Sequence, residues 1–185
     1  VHGCIDELKA AEQRIRDDIR LNNRHGLIVL LGDYVDRGPH SAAVIEHLLN
    51  TTDSDIRRVA LCGNHDDVFL RFVQDPRNLQ AWLEFGGRMT LLSYGIDPQH
   101  LPRGRSQQLN ELRLLLRETV PAHHLDFLAD LPVLLRIGRY VFVHAGLRPG
   151  KALDDQQDSD LMWIREPFLR LGPQLPYLVV HGHTP

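Results

Sequence analysis

The sequence predicts an α/β fold, and three observations carry it. Apolar runs at residues 27–31 and 59–62 each end in a glycine-headed polar motif, GDYVDRG and GNHDD, and each is followed by a helical pattern. Two strand–loop–helix passages in succession imply parallel strands, with any ligand gathered in the loops beyond their carboxyl ends. The third observation is the stretch 68–131, whose apolar spacing is helical almost throughout and which reads as a helical cap inserted into the sheet domain.

The elements follow in order. Leu8, Ala11, Ile15 and Ile19 recur at helical spacing with charges between them, an amphipathic helix over 6–21. After the first strand, Pro39 stands where a first helical residue would, Ala42, Val44, Ile45, Leu48 and Leu49 continue the helix, and Asn50 and Thr51 close it. Within the cap, Leu109, Leu112, Leu115 and Leu116 share one face, while Arg103, Arg105, Arg113 and Arg117 are read as a solvated one. Strands at 133–137 and 140–143 are joined by a turn at Gly138, a hairpin. A last strand at 177–180 runs into HGHTP. One domain over 1–185 is expected.

Composition narrows the function. The hydrophobic share of 43% with 24% charged residues is that of an ordinary globular chain. A formal charge of −3 argues against a nucleic-acid partner. No apolar run is long enough for a bilayer, so no membrane partner is expected. Cys4 and Cys62 form no C-x-x-C pair, which points away from a zinc knuckle or disulfide scaffold and toward a reducing, cytoplasmic setting. Cys62 reads as a small buried hydrophobe.

Polar clusters close the apolar runs: His2-Gly3, GDYVDRG at 32–38, GNHD at 63–66, HAG at 144–146 and HGHTP at 181–185. Converging histidine, aspartate and asparagine make an N/O donor set suited to manganese, iron or zinc rather than calcium. A single His at a strand end is commonly a hydrogen-bonded surface residue, and Gly-Asp is a common turn. Five such clusters in this order are hard to explain as turns. Gly32, Gly38, Gly63 and Gly182 read as backbone devices for tight turns and close approach. His25, His40, His47, His100, His123 and His124 lie outside every motif and are read as surface residues. Trp82, Trp163 and Tyr94 are candidates for lining a groove, although large aromatics more often belong to a core.

With these motifs the chain resembles the phosphoprotein phosphatase family of calcineurin-like metallophosphoesterases, in particular its bacterial and phage serine/threonine phosphatases. GDYVDRG and GNHD are specific matches, HAGLRP and HGHTP support them, and WLEFGGRMTLLSYG at 82–95 is similar to a bacterial form of the cap. The likeness implies a β-sandwich flanked by helices. The family's first motif, G-D-x-H-G, survives here only as Val1-His2-Gly3, and its further strands after HGHTP are missing, so the resemblance implies a fragment trimmed at both ends. Such a fragment is expected to hold its first metal weakly and to lose much activity. The resemblance also implies two divalent ions, Mn²⁺ foremost with Fe or Zn as alternatives. One would be held by His2, Asp33 and an aspartate before Val1, the other by Asp33, Asn64, His144 and His183. A carboxylate shared between the ions offsets their repulsion, and a bridging water or hydroxide attacks phosphorus directly. His65 corresponds to the general acid, Asp36 to its partner, and Arg37 with Asn64 to the phosphate-binding groups. Arg165 is the candidate second arginine clamp, whereas Arg148, on a Pro-Gly turn, is read as solvated. His183 rather than His181 matches the ligand position, and Pro185 stands where many other metallophosphoesterases have a histidine.

Three functions are compatible with this reading. The leading one is hydrolysis of phosphoserine and phosphothreonine in a phosphoprotein or phosphopeptide. The alternative is bis(5'-nucleosyl)-tetraphosphatase activity on dinucleoside polyphosphates, because diadenosine tetraphosphatases resemble the same motif set. A catalytically silent binding module comes third. The acidic loop with Asp154, Asp155, Asp158 and Asp160 mildly disfavours a polyanionic substrate.

Overall fold

The computed structural model describes residues 1–23, 25–50, 56–102 and 104–184; Thr51, Arg103, Pro185 and the side chain of Arg105 lie outside the described residues. The chain divides into two compact units. One, mainly helical, comprises Val1–Gly26, Asp33–Ile56 and His65–Asp130. The other comprises Leu27–Gly32, Arg57–Asn64 and Leu131–Pro185 and holds the sheets, apart from the first residue of β1 and of β2.

In the sheet unit, β1 (Gly26–Leu30) and β2 (Ile56–Ala60) form a two-stranded sheet, and β3 (Leu134–Ile137), β4 (Tyr140–Val143) and β5 (Leu178–Val180) a three-stranded one. The single parallel sheet expected from the two strand–loop–helix passages is therefore replaced by two sheets, the larger one mixed. Its hairpin sets the local direction: Gly138 at φ 59 turns the chain, and Leu134 pairs with Val143 and Ile137 with Tyr140 in antiparallel register. The longer connection through α8 (Asp158–Trp163) and α9 (Phe168–Leu171) then returns β5 parallel to β4, with Val141 opposite Val179. Val141 and Val143 point inward at the period of two, and with Ala145, Leu147, Leu161, Ile164 and Phe168 they form the core of this unit.

The strand exits of this unit are tied together. The Leu61 N–H donates to the Leu30 carbonyl at 2.9 Å, the Cys62 N–H to Pro132 at 2.9 Å, and the Gly182 N–H to His144 at 2.8 Å. Gly32, at φ +92, is where β1 meets the second motif: a Cβ there would run into the backbone of Gly63. Cys62 is buried, as its reading required.

The helical unit begins with α1 (Ile5–Leu21), which packs on α2 (Ser41–Asn50). Helix α2 starts two residues later than Pro39 suggests, because the His40 N–H is taken by the Gly3 carbonyl at 2.9 Å and Pro39 lies in the resulting turn. On α1 the apolar pattern is only partly used. Leu8 is buried, Ile15 is 40% exposed, and Glu12 is buried instead, its carboxylate 2.8 Å from His47 Nε2. His47 is thus a half-buried partner of Glu12 and not a free surface residue.

The stretch read as a cap supplies α3 (Asn64–Gln74), α4 (Leu79–Trp82), a kinked turn over Leu83–Gly87, α5 (Arg88–Ser93), α6 (Arg105–Thr119) and α7 (Ala122–Ala129). Leu112 and Leu116 are buried and Arg113 and Arg117 exposed, so α6 turns its leucines inward as its spacing predicts. Trp82 and Tyr94 are core residues: Trp82 lies between Phe69 and Phe72, with ring centroids at 5.6 and 4.0 Å. Among the described residues no helix is long and apolar enough to cross a membrane.

His124 departs from the surface reading. It is buried, its Nδ1 2.9 Å from the Tyr94 hydroxyl and its Nε2 2.9 Å from Glu46 on α2. Hydrogen bonds from His124 first, then from His123 and Asn50, lower the Glu46 carboxyl to about 2 from its usual 4.5. A depressed carboxyl stabilises the fold above its unfolded pKa, and that stability disappears as pH falls through the folded value. In chelator-containing buffer the urea midpoint of the protein is expected to fall toward that of Glu46→Gln between about pH 4.5 and 2. Parallel midpoints for the two proteins across that window would remove the assigned role.

Candidate functional site

In the helical unit the GDYVDRG loop is held by a residue that sequence reasoning passed over. Asp66, fully buried in the first turn of α3, accepts the backbone N–H of Asp33 at 2.7 Å, of Tyr34 at 2.8 Å and of Val35 at 3.4 Å. The loop it holds is strained. Among the described residues seven non-glycine residues have positive φ, and His2, Asp33, Asp36 and Arg37 are four of them, so unfavourable backbone is concentrated at this one place.

His2 Nδ1 lies 2.9 Å from the Val35 carbonyl, to which it donates, leaving the Nε2 lone pair facing Asp33 Oδ2 at 3.3 Å. A backbone carbonyl on one ring nitrogen and an acceptor-facing lone pair on the other is how metal-ligating histidines are oriented. His2, Asp33 and His65 bring three possible ligand atoms within 4.8 Å of one another. Asp33 also accepts the His65 N–H at 3.2 Å.

His65 is 1% exposed and stacks on Phe85 at 4.0 Å, its ring edge-on to His2 at 4.7 Å. Its Nδ1 is 2.7 Å from Asp36 Oδ2, and Asp36, itself fully buried, also accepts the Trp82 indole N–H at 3.2 Å and the Thr90 hydroxyl at 2.7 Å. Three donors on one carboxylate hold it in place. The exposed Arg37 guanidinium donates to His65 Nε2 at 3.1 Å. His65 Nε2 therefore faces the Arg37 guanidinium with its lone pair, while Nδ1 donates to Asp36. The family resemblance sends Arg37 to phosphate oxygens; here its guanidinium rests on His65.

The sheet unit carries a second constellation at its strand exits. Asn64 Oδ1 is 2.9 Å from His144 Nε2 and 2.9 Å from His183 Nδ1, and the two histidine nitrogens are 3.1 Å apart. His144 Nδ1 is 2.6 Å from the Leu31 carbonyl and so carries the proton, which leaves Nε2 a lone pair. An amide oxygen and two imidazole nitrogens thus converge at hydrogen-bond distance, a donor face that a cation would complete. Edges near 3 Å are those of an octahedral cation face with bonds of about 2.1 Å. The donors present thus fit a divalent metal ion. His183, not His181, joins this triangle; His181 packs edge-on against Phe168 at 5.1 Å. His183 also has positive φ, 62°, and faces Trp163 at 6.4 Å, so Trp163, 42% exposed, belongs beside the triangle while Trp82 and Tyr94 do not.

The two candidate arginines of the sheet unit separate. Arg165 is exposed, with no side-chain hydrogen bond or ion pair among the described residues. Arg148 is not simply solvated: its guanidinium forms a two-point pair with Asp160, which raises the arginine and lowers the carboxyl. One carboxylate of the acidic loop is thereby neutralised, which weakens the loop's repulsion of polyanions. Besides Asp66, sequence reasoning missed Thr90, Trp82 and Phe85 as the surroundings of the His65–Asp36 pair. Asp66 had a signal, an acidic residue in the first turn of a helix; Thr90 and Phe85 had none.

The calcineurin-like phosphoesterase profile matches residues 1–185, and the chain belongs to that family. It is 26% identical over 153 residues to the bis(5'-nucleosyl)-tetraphosphatase PrpE (asymmetrical) of Bacillus subtilis, covering 80% of this chain and 55% of that protein. Over 163 residues it is 26% identical to the zinc-dependent endopolyphosphatase of Saccharomyces cerevisiae, covering 85% and 48%. The chain thus spans about half the length of the curated relatives it matches. A crystal structure provisionally assigned as a diadenosine tetraphosphatase superposes with TM-score 0.58 at 22% identity, over 98% of this chain and 71% of that one. At that identity the likeness speaks for the fold alone, which is the α/β metallophosphoesterase fold.

Proposed function

We propose that the chain is the catalytic part of a dinuclear-metal hydrolase acting on dinucleoside polyphosphates, with the two constellations cooperating in one reaction and residues 1–185 acting as one functional domain. The observation that carries the chemistry is the buried His65–Asp36 pair at 2.7 Å with Arg37 on its outer nitrogen. The choice of substrate rests on relatives named for tetraphosphate and polyphosphate hydrolysis, and it reverses the order that the sequence alone suggests.

In this reading His2 and Asp33 would hold one ion, and Asn64, His144 and His183, together with Asp33, would hold the other. The N/O donors suit Mn²⁺. Bound divalent ions supply Lewis-acid polarisation of the phosphoryl oxygens and offset the charge that develops there. The chain's own residues do the rest. An incoming phosphate draws the Arg37 fork off His65, assisted by Asn64 and by Arg165, and frees Nε2. The freed Nε2 then takes up a proton from solvent, the Asp36 carboxylate supports the resulting imidazolium, and that Nε2 proton passes to the departing oxygen.

The two substrates make different demands on that proton. A nucleotide leaving group is a phosphate with a pKa of about 6, so it departs with little help, whereas a threonine alkoxide needs protonation. With Mn²⁺ and Asp33→Asn as blank, turnover of diadenosine tetraphosphate is expected to exceed that of a phosphothreonine peptide. Preference for the peptide would establish a protein phosphatase instead, and no turnover of either would leave a silent binding module.

A further inference from the structure

Helices α2 and α7 bring a third donor set together, outside both constellations. Glu46 Oε2 lies 2.9 Å from His124 Nε2 and 3.2 Å from His123 Nε2, with all three atoms within 4.8 Å of one another. The two rings meet edge-on at 4.7 Å, so both nitrogens converge on the same carboxylate oxygen. The Asn50 amide holds the other oxygen, Oε1. Behind the cluster, the buried Tyr94 hydroxyl is 2.9 Å from His124 Nδ1. Burial pushes the Tyr94 phenol up, so it remains a neutral hydroxyl hydrogen-bonded to that ring nitrogen.

We propose that Glu46, His123 and His124 form a separate metal site that takes one zinc-class divalent cation through the two Nε2 atoms and the carboxylate, with solvent completing the shell. Two imidazoles and a carboxylate are a known zinc donor set, and the separations approach the edge of about 3.3 Å that a tetrahedron with bonds of 2.0–2.1 Å has. The Tyr94 hydroxyl orients the His124 ring from Nδ1, the usual arrangement behind a ligating histidine, and Nε2 exchanges its hydrogen bond to Glu46 for the ion. The side chains of Glu46 and His123 are 51% and 60% exposed and that of His124 4%, so the ion enters from solvent and closes against the core. The positive end of α7 opposes a cation at its first turn, and the Glu46 charge offsets it. The ion would pin α7 to α2. It does not depend on the proposed reaction, since neither Glu46 nor the two histidines belong to the motif clusters.

The test is the zinc content of the full chain after equilibration with Zn²⁺ and dialysis, with two substitutions at exposed positions, His123→Ala and Glu46→Gln. Each is expected to hold one ion per chain fewer than the unmodified protein, with circular dichroism unchanged. The same difference of one is expected when both substitutions are made separately in an Asp33→Asn background, which separates this ion from those of the motif clusters. In ¹⁵N spectra, zinc should shift Nε2 of both His123 and His124. Unchanged zinc content in both variants, or no shift at these nitrogens, would overturn the site.

Discussion

Asp36→Asn is expected to lower kcat roughly 10²–10⁴-fold on a phosphate ester with an alkoxide leaving group, the range that general acid catalysis contributes, and far less on diadenosine tetraphosphate. Asp36 receives three hydrogen bonds, from His65 Nδ1, the Trp82 indole and the Thr90 hydroxyl. An asparagine of the same shape offers one acceptor oxygen and an uncharged NH₂ group, so in this fully buried place the carboxylate charge facing the imidazole is gone. If the NH₂ turns to His65, the imidazole must present a lone pair at Nδ1 and carry its proton on Nε2, where Arg37 already donates. Either way the supported imidazolium is lost. Because leaving-group basicity sets the need for protonation, the variant should steepen the dependence of kcat on it. A uniform loss across leaving groups would make Asp36 a structural residue only, and full activity would remove the pair from the chemistry. A thermal melt of the variant separates these outcomes from unfolding.

The parts of the fold that were legible in the sequence are those fixed by local pattern. The spacing of Leu109, Leu112, Leu115 and Leu116 set the inner face of α6, and Gly138 set the β3–β4 hairpin. What was not legible depends on partners distant in sequence. Glu12 is buried on α1 because His47 on α2 meets it, and the His124 ring is buried because Tyr94 and Glu46 satisfy both its nitrogens. A residue's polarity alone predicts the surface in both cases, and only the tertiary pairing reverses it. The division into two sheets has a similar cause: the strand–loop–helix signal is local, but the sheet that a strand joins is decided by hydrogen bonds such as those between β4 and β5, 38 residues apart at Tyr140 and Leu178. At the candidate site the motif residues are written plainly in the chain, whereas what orients them is not. Thr90 lies 54 positions from Asp36, and its hydroxyl both donates to the carboxylate and accepts the Asp36 N–H at 2.8 Å.

His144→Ala is expected to abolish most of the stabilisation that Mn²⁺ gives the protein. His144 is 2% exposed and contributes both a lone pair to the triangle with Asn64 and His183 and a proton to the Leu31 carbonyl. The second of these costs stability without any metal, because the half-buried Leu31 carbonyl loses its donor. The first is read in the metal response. At a free concentration one hundred times the dissociation constant, a bound ion stabilises the native state by about 2.7 kcal/mol, and for a chain of this length each kcal/mol moves Tm by about 2–4 °C. Mn²⁺ should therefore raise the Tm of the unmodified protein by about 5–10 °C for this site, and that of His144→Ala by much less. His181→Ala is the control: it alters a ring that rests on Phe168 outside the triangle, so its Mn²⁺ response should match the unmodified protein. An undiminished response in His144→Ala would mean that the triangle is held by hydrogen bonds alone. The assignment of Asn64, His144 and His183 as ligands would then fail, whatever the activity of the chain.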